Sequence, residues 1–144
     1  AGVRFNENEF ARRVLKGDNP FAVYEVESFR DFLHEFVFAN APYVPEPMLG
    51  AIVEQRKTRR DFEQRVFTQI RIGPEAFLLQ QRLPLIQSPA GLLWCDGDRI
   101  IDPSAAPVFA TGLKSSETRI LKGCGHMPMM EQPGAVAEFL LARF

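Results

Sequence analysis

Two short segments in the last third of the chain carry the residues best suited to chemistry. Gly123-Cys124-Gly125-His126-Met127-Pro128 sets a histidine between small, permissive residues. Upstream, the apolar run Leu92-Leu93-Trp94-Cys95 leads into Asp96-Gly97-Asp98-Arg99-Ile100-Ile101-Asp102. A carboxylate that accepts a hydrogen bond from one imidazole nitrogen fixes the tautomer and leaves the other nitrogen free to deprotonate a nucleophile. An acid and a base of that kind are present, but no Gly-x-Ser-x-Gly nucleophile turn occurs in the 144 residues. Two members of a nucleophile–His–acid triad are expected here, with the third supplied from outside this sequence.

Three aspartates compete for the acid's role. Asp98 is the leading candidate. Asp96 suits a turn in which it bonds its own backbone, and Asp102, before Pro103, suits the N-cap of a following helix. Gly123 and Gly125 suit a sharply bent loop that approaches other backbone closely. His34 falls on the polar side of an apolar helix stripe and is read as a surface residue.

The elements that must position these groups change character near residues 83–89. Before that point the patterns are helical. Phe29, Phe32, Leu33, Phe36 and Val37 form one apolar stripe, with Ser28 placed to N-cap the helix and Asp31 in its first turn. Pro42, Pro45 and Pro47 hold the next stretch extended. A second helix is expected from about Pro47 and a third over about 58–72, stopped by Gly73-Pro74. A short helix follows around Phe77, Leu78 and Leu79. After Pro89 the pattern becomes strand 90–95, helix 103–112, strand 118–122, and a last helix opened by Pro133, the alternation of a parallel α/β sheet. Asp98 and His126 then both follow the carboxyl ends of strands, where active sites of open α/β sheets gather. A two-stranded parallel sheet leaves unpaired edges, so the chain is expected to be the C-terminal part of a larger α/β domain preceded by a helical insertion.

Composition narrows the function classes. A net charge of −1 gives no general attraction to nucleic acid. No apolar run approaches the roughly 18 residues of a membrane span. Two cysteines make no disulfide framework and no metal-ligand spacing. They read as buried thiols, or as a disulfide if they end neighbouring strands in an oxidising compartment. Ten of 13 phenylalanines precede residue 80. Arg56, Lys57, Arg59, Arg60, Arg65 and Arg71 concentrate positive charge on the second and third helices, which suits a solvated face or anionic lipid headgroups.

Trp94-Cys95-Asp96-Gly97-Asp98-Arg99-Ile100 resembles the W-G-x-x-D-R-I/V acid loop of the α/β-hydrolases, with Cys95 in place of the usual glycine. Gly125-His126-Met127-Pro128-Met129-Met130-Glu131-Gln132-Pro133 resembles that family's G-H-x-P-x-x-E-x-P histidine loop. The motif resemblance covers residues 84–144. It implies an α/β-hydrolase fold in which 1–5 leave a core strand, 6–82 form a helical cap, and 83–144 complete the core. It also implies Asp98 as triad acid, His126 as triad base and a nucleophilic serine upstream of Ala1, with no metal or cofactor. The cap, through Asp18-Asn19-Pro20-Phe21 and the Phe-rich helix, resembles bacterial lipases and esterases of the group that contains a Moraxella lipase and a membrane-anchored Pseudomonas phospholipase A. An ester hydrolase acting on apolar acyl esters is therefore expected. A membrane surface and a homodimer are partners compatible with that group, and nucleic acid is not. Location is membrane-anchored or periplasmic by this resemblance, otherwise cytoplasmic. The rival readings are an aspartate-nucleophile dehalogenase or epoxide hydrolase, a non-catalytic domain of the same fold that binds lipid or a partner, and an independently folded binding module.

Overall fold

The computed structural model describes residues 2–72 and 77–143. Four helices come first: α1 (Glu9–Lys16), α2 (Val26–Phe32), α3 (Glu46–Thr58) and α4 (Arg60–Ile72). α5 (Leu78–Arg82) leads into the strand–helix alternation β1 (Ala90–Cys95), α6 (Ala105–Gly112) and β2 (Ser116–Leu121), then α7 (Pro128–Glu131) and α8 (Pro133–Leu141). The architecture is a helical cap preceding a small parallel sheet flanked by helices, as the sequence leads one to expect.

β1 and β2 pair in parallel, from Ala90 opposite Ser116 to Cys95 opposite Leu121. The register ends both strands at one edge, so the acid and histidine loops leave side by side. Cys95 and Cys124 are both buried and are disulfide-bonded to each other, with Cα atoms 5.3 Å apart. They are therefore not the free thiols of the simpler sequence reading. Within this chain the sheet is only half covered: Gly91, Glu117 and Thr118 are exposed.

The cap has its own aromatic core. Phe10, Phe29, Phe32, Phe36 and Phe38 are buried with Leu49 and Val53. Phe10 meets Phe21 and Phe36 edge-on at 5.0 and 5.3 Å between ring centroids, a favoured aromatic geometry. The Phe stripe is not one regular helix. After Phe32 the chain makes a π-helical turn over Leu33–Val37, and the Phe38 N–H donates to the Leu33 carbonyl at 2.9 Å. The turn buries Phe36 and Val37, and the chain leaves it extended at Phe38, which is buried as well.

Several local expectations are corrected. α2 starts at Val26 with Glu25 as its extended N-cap. Ser28 therefore lies inside the helix, its hydroxyl donating back to the Glu25 carbonyl at 3.1 Å. α1 had no signal in the sequence reading, yet Asn8 caps it by accepting from the Ala11 N–H and Gly17 ends it at φ 104°. α6 begins at Ala105, two residues later than expected, with Ser104 as its N-cap. The expected stop of α4 at Gly73-Pro74 lies outside the described residues.

The positive charge of α3 and α4 is partly used within the cap. Arg56 donates to the Phe21 carbonyl and pairs with Glu63 at 3.1 Å. The Lys57 ammonium is held above its usual range, first by its hydrogen bond to Glu54. Arg59 and Arg65 remain exposed.

Phe36 is 3% exposed and touches Phe10 and Phe32. Phe36→Ala is expected to destabilise the protein by about 3–5 kcal/mol, from lost burial plus a cavity. Urea denaturation measures this, and an unchanged midpoint would show that the aromatic cluster does not hold the cap.

Candidate active site

The Asp98 carboxylate is placed by its own loop. β1 ends at Cys95, the chain turns through Asp96 and Gly97, and Asp98 is 8% exposed. Its Oδ1 accepts the Ile100 and Ile101 backbone N–H groups, each at 3.0 Å. Those two bonds fix the side chain and point Oδ2 at the imidazole of His126, with Nδ1–Oδ2 at 2.9 Å and Nδ1–Oδ1 at 3.1 Å. An ionised carboxylate only accepts, so the shared proton resides on Nδ1. Nε2 then carries the lone pair and can act as a base. The His126 side chain is 35% exposed, open enough to meet a substrate.

The neighbouring aspartates do other work. Asp96 accepts the Gly123 N–H at 2.8 Å and pairs with Lys122 at 3.5 Å, so it ties the two loops together instead of closing its own turn. Asp102 accepts the Ser104 N–H at 2.9 Å, a local turn ahead of α6 rather than the N-cap itself. Ile100 also belongs to the cap's aromatic cluster, and Ile101 and Met127 pack against it. Residues flanking both Asp98 and His126 are thus shared between the loops and the cap.

His34 lies on the π turn, exposed, and lines a cavity of about 360 Å³ with Arg30, Leu33, Phe38, Tyr43 and Glu46. The structure brings Asp98 and His126 together and gives His34 no bond to either of them. Its backbone matters more than its ring: Arg99 donates to the His34 carbonyl at 3.1 Å and also to that of Phe38.

Backbone approach sets which glycine is essential. A Cβ on Gly125 would stand 2.5 Å from the Val37 carbonyl oxygen and 2.7 Å from the Ala39 nitrogen. Gly123 has φ 71° with open space around it. One glycine is required by contact, the other by backbone conformation. Next to Gly125, the His126 N–H donates to the Val37 carbonyl at 2.7 Å. Sequence reasoning missed this contact and the engagement of Arg99 and Glu131. Their motif positions were visible, but the cap residues they bind lie far away in the chain.

Comparison with known proteins fits this architecture. A sequence model of the Alpha/beta hydrolase family matches residues 3–139. The chain is 29% identical to monoacylglycerol lipase of Bos taurus over 149 aligned positions, covering 98% of this chain and 44% of that protein. A solved bacterial membrane phospholipase A, described as a virulence factor, superposes with TM-score 0.86 at 33% identity, covering 99% of this chain and 45% of that one. A 2-hydroxy-6-oxo-6-phenylhexa-2,4-dienoate hydrolase from a Rhodococcus species shares the fold, with TM-score 0.75, 20% identity and coverage of 99% and 51%. The chain thus spans about half the length of the relatives it matches.

Gly125→Ala is expected to displace the 37–39 backbone or the histidine loop by a few tenths of an ångström to an ångström. A misplacement of that order costs about 10²-fold in turnover. Gly123→Asn, which tolerates a left-handed backbone, is expected to cost little. Steady-state kinetics of both variants in the full-length protein checks the contrast, and equal effects would show that close approach is not what Gly125 provides.

Proposed function

Since the chain belongs to the α/β-hydrolase family, we propose that it supplies the acid and base of a serine ester hydrolase acting on apolar acyl esters. The observation that carries this reading is the Asp98–His126 pair, with Oδ2 2.9 Å from Nδ1 and the other carboxylate oxygen held by two backbone amides. Asp98 orients the ring and stabilises its charged form. His126 Nε2 takes the proton of a serine supplied by a segment preceding this one, as the serine attacks the acyl carbonyl. The imidazolium then gives that proton to the departing alcohol, leaving an acyl-enzyme. In the second half His126 activates a water, the acyl–serine bond breaks, and the carboxylic acid is released. The oxyanion donors belong to the same preceding segment.

Within this reading, 1–5 are the exit from a core strand, 6–82 are the cap, and 83–144 complete the core. The main clusters agree with the division, one mostly of cap aromatics and one of Val3, Leu83 and Ala105 beside the sheet, with Ile100 joining the first from across it. Lipid-like substrates are favoured by the relatives, a membrane phospholipase A and a monoacylglycerol lipase by their names. The resemblance of the cap to the bacterial lipase group of a Moraxella lipase and a Pseudomonas phospholipase A supports the same reading. Phe62 and Ile70 are exposed on α4 beside Arg65, which favours substrate reaching the enzyme from a lipid surface. A membrane-attached or periplasmic setting agrees with the buried disulfide. Among the described residues no helix is long and apolar enough to cross a membrane.

In the full-length protein, His126→Ala is expected to lower kcat by about 10⁴-fold or more and Asp98→Asn by about 10⁴-fold, with His34→Ala nearly unchanged. A fluorophosphonate should label one upstream serine and abolish ester hydrolysis. Retained hydrolysis in His126→Ala, or activity without a labelled serine, would sink the mechanism.

A further inference from the structure

The histidine loop is fastened to the cap as well as to the acid loop. Glu131, five residues after His126, sits half-buried at the end of α7. Its two carboxylate oxygens accept backbone N–H groups from its own loop and from the cap: Gly125 on Oε2 at 2.6 Å and Asn40 on Oε1 at 2.7 Å. Hydrogen bonds to a charged acceptor are roughly twice as strong as neutral ones. The same stretch of cap makes further bonds to the loops. The Asn40 side-chain amide donates to the Gly123 carbonyl at 2.9 Å. The Val37 carbonyl receives the His126 N–H at 2.7 Å, and Arg99, next to Asp98, donates to the Phe38 carbonyl. Gly125 leaves the space that the strap occupies, since a Cβ there would meet the Val37 carbonyl oxygen at 2.5 Å, whereas Gly97 makes room for the Cys124 carbonyl.

We propose that Glu131 is a positioning residue that makes the alignment of His126 with Asp98 conditional on the seating of cap residues 37–40. The carboxylate touches neither the imidazole nor Asp98. It binds the backbone immediately before His126 and the backbone at the end of the strap with one rigid group. A strap that lifts takes its amide from Oε1 and its carbonyl from His126, so the histidine loop loses two restraints together. A cap that closes over substrate restores both. The same aromatic core that seats Phe36 and Phe38 thereby sets the geometry of the base.

This inference rests on the hydrolase reading, and its test separates the two. In the full-length chain carrying the nucleophile, Glu131→Ala and Glu131→Gln are compared with His126→Ala by kcat, KM, thermal midpoint and the downfield proton signal of the Asp98–His126 hydrogen bond. Glu131→Ala is expected to lower kcat by about 10–100-fold, a cost typical of a misplaced catalytic group. KM should stay within about threefold, and the downfield signal should broaden or vanish well below the thermal midpoint. Glu131→Gln, whose amide oxygen accepts one N–H while its amino group opposes the other, should fall between the two. A lowered thermal midpoint with unchanged kcat and an intact downfield signal would reduce Glu131 to a structural brace and overturn the proposal. If Glu131→Ala fails to fold, Glu131→Gln decides by the same criteria. Unaffected turnover in His126→Ala would instead defeat the hydrolase reading.

Discussion

The parallel pairing of β1 with β2 is the constraint on which the site depends. Because Cys95 stands opposite Leu121, two chain segments leave the sheet at one edge, one strand spacing apart. A carboxylate three residues beyond one strand and an imidazole five residues beyond the other then meet without a long loop. The surrounding bonds reinforce that pairing instead of creating it: the Asp96 N–H continues the ladder to the Leu121 carbonyl at 2.9 Å, and the Gly97 N–H reaches the Cys124 carbonyl at 3.1 Å. Each of these bonds adds only about 1 kcal/mol net, but they act on the same few atoms, so the freedom left to Asp98 is small.

The cap is built on a different principle. Its helices are short, and burial of aromatic rings rather than helix propensity holds them together. That core does not stop at the cap's own residues. Ile100 lies inside it, which makes the acid loop part of the cap's packing. The arrangement costs independence: strain in the cap is felt at the loop that positions Asp98.

What could be read from the sequence follows from how local each signal is. β1 is a short apolar run after Pro89, and β2 holds residues 118–121 of the strand expected over 118–122, beginning two residues earlier at Ser116. Asp98 and His126 stand in loops whose glycines and charged residues mark them. That Asp98 rather than its neighbours meets His126 agrees with a sequence in which Asp102 precedes a proline and Asp96 a glycine, although the roles those two adopt depend on Lys122, Gly123 and Ser104. The π turn was not legible, since its single added residue leaves the Phe spacing still resembling an α-helical stripe. The Val37–His126 contact was not legible either, because it joins two backbone groups that no side-chain pattern encodes. Ser28 misled for a related reason: an N-cap is defined by extended backbone, which Glu25 has and Ser28 does not.

The Cys95–Cys124 bond joins positions 29 apart and closes a covalent ring around the first loop, α6 and β2. Asp98 lies inside that ring and His126 two residues beyond it. The two groups are therefore tethered through a path of a few bonded residues whatever the cap does. Their local concentration stays high even when the hydrogen bonds between the loops are broken, as for two ligands on a short linker. Asp98 and His126 can lose their alignment in this chain, but they cannot lose each other.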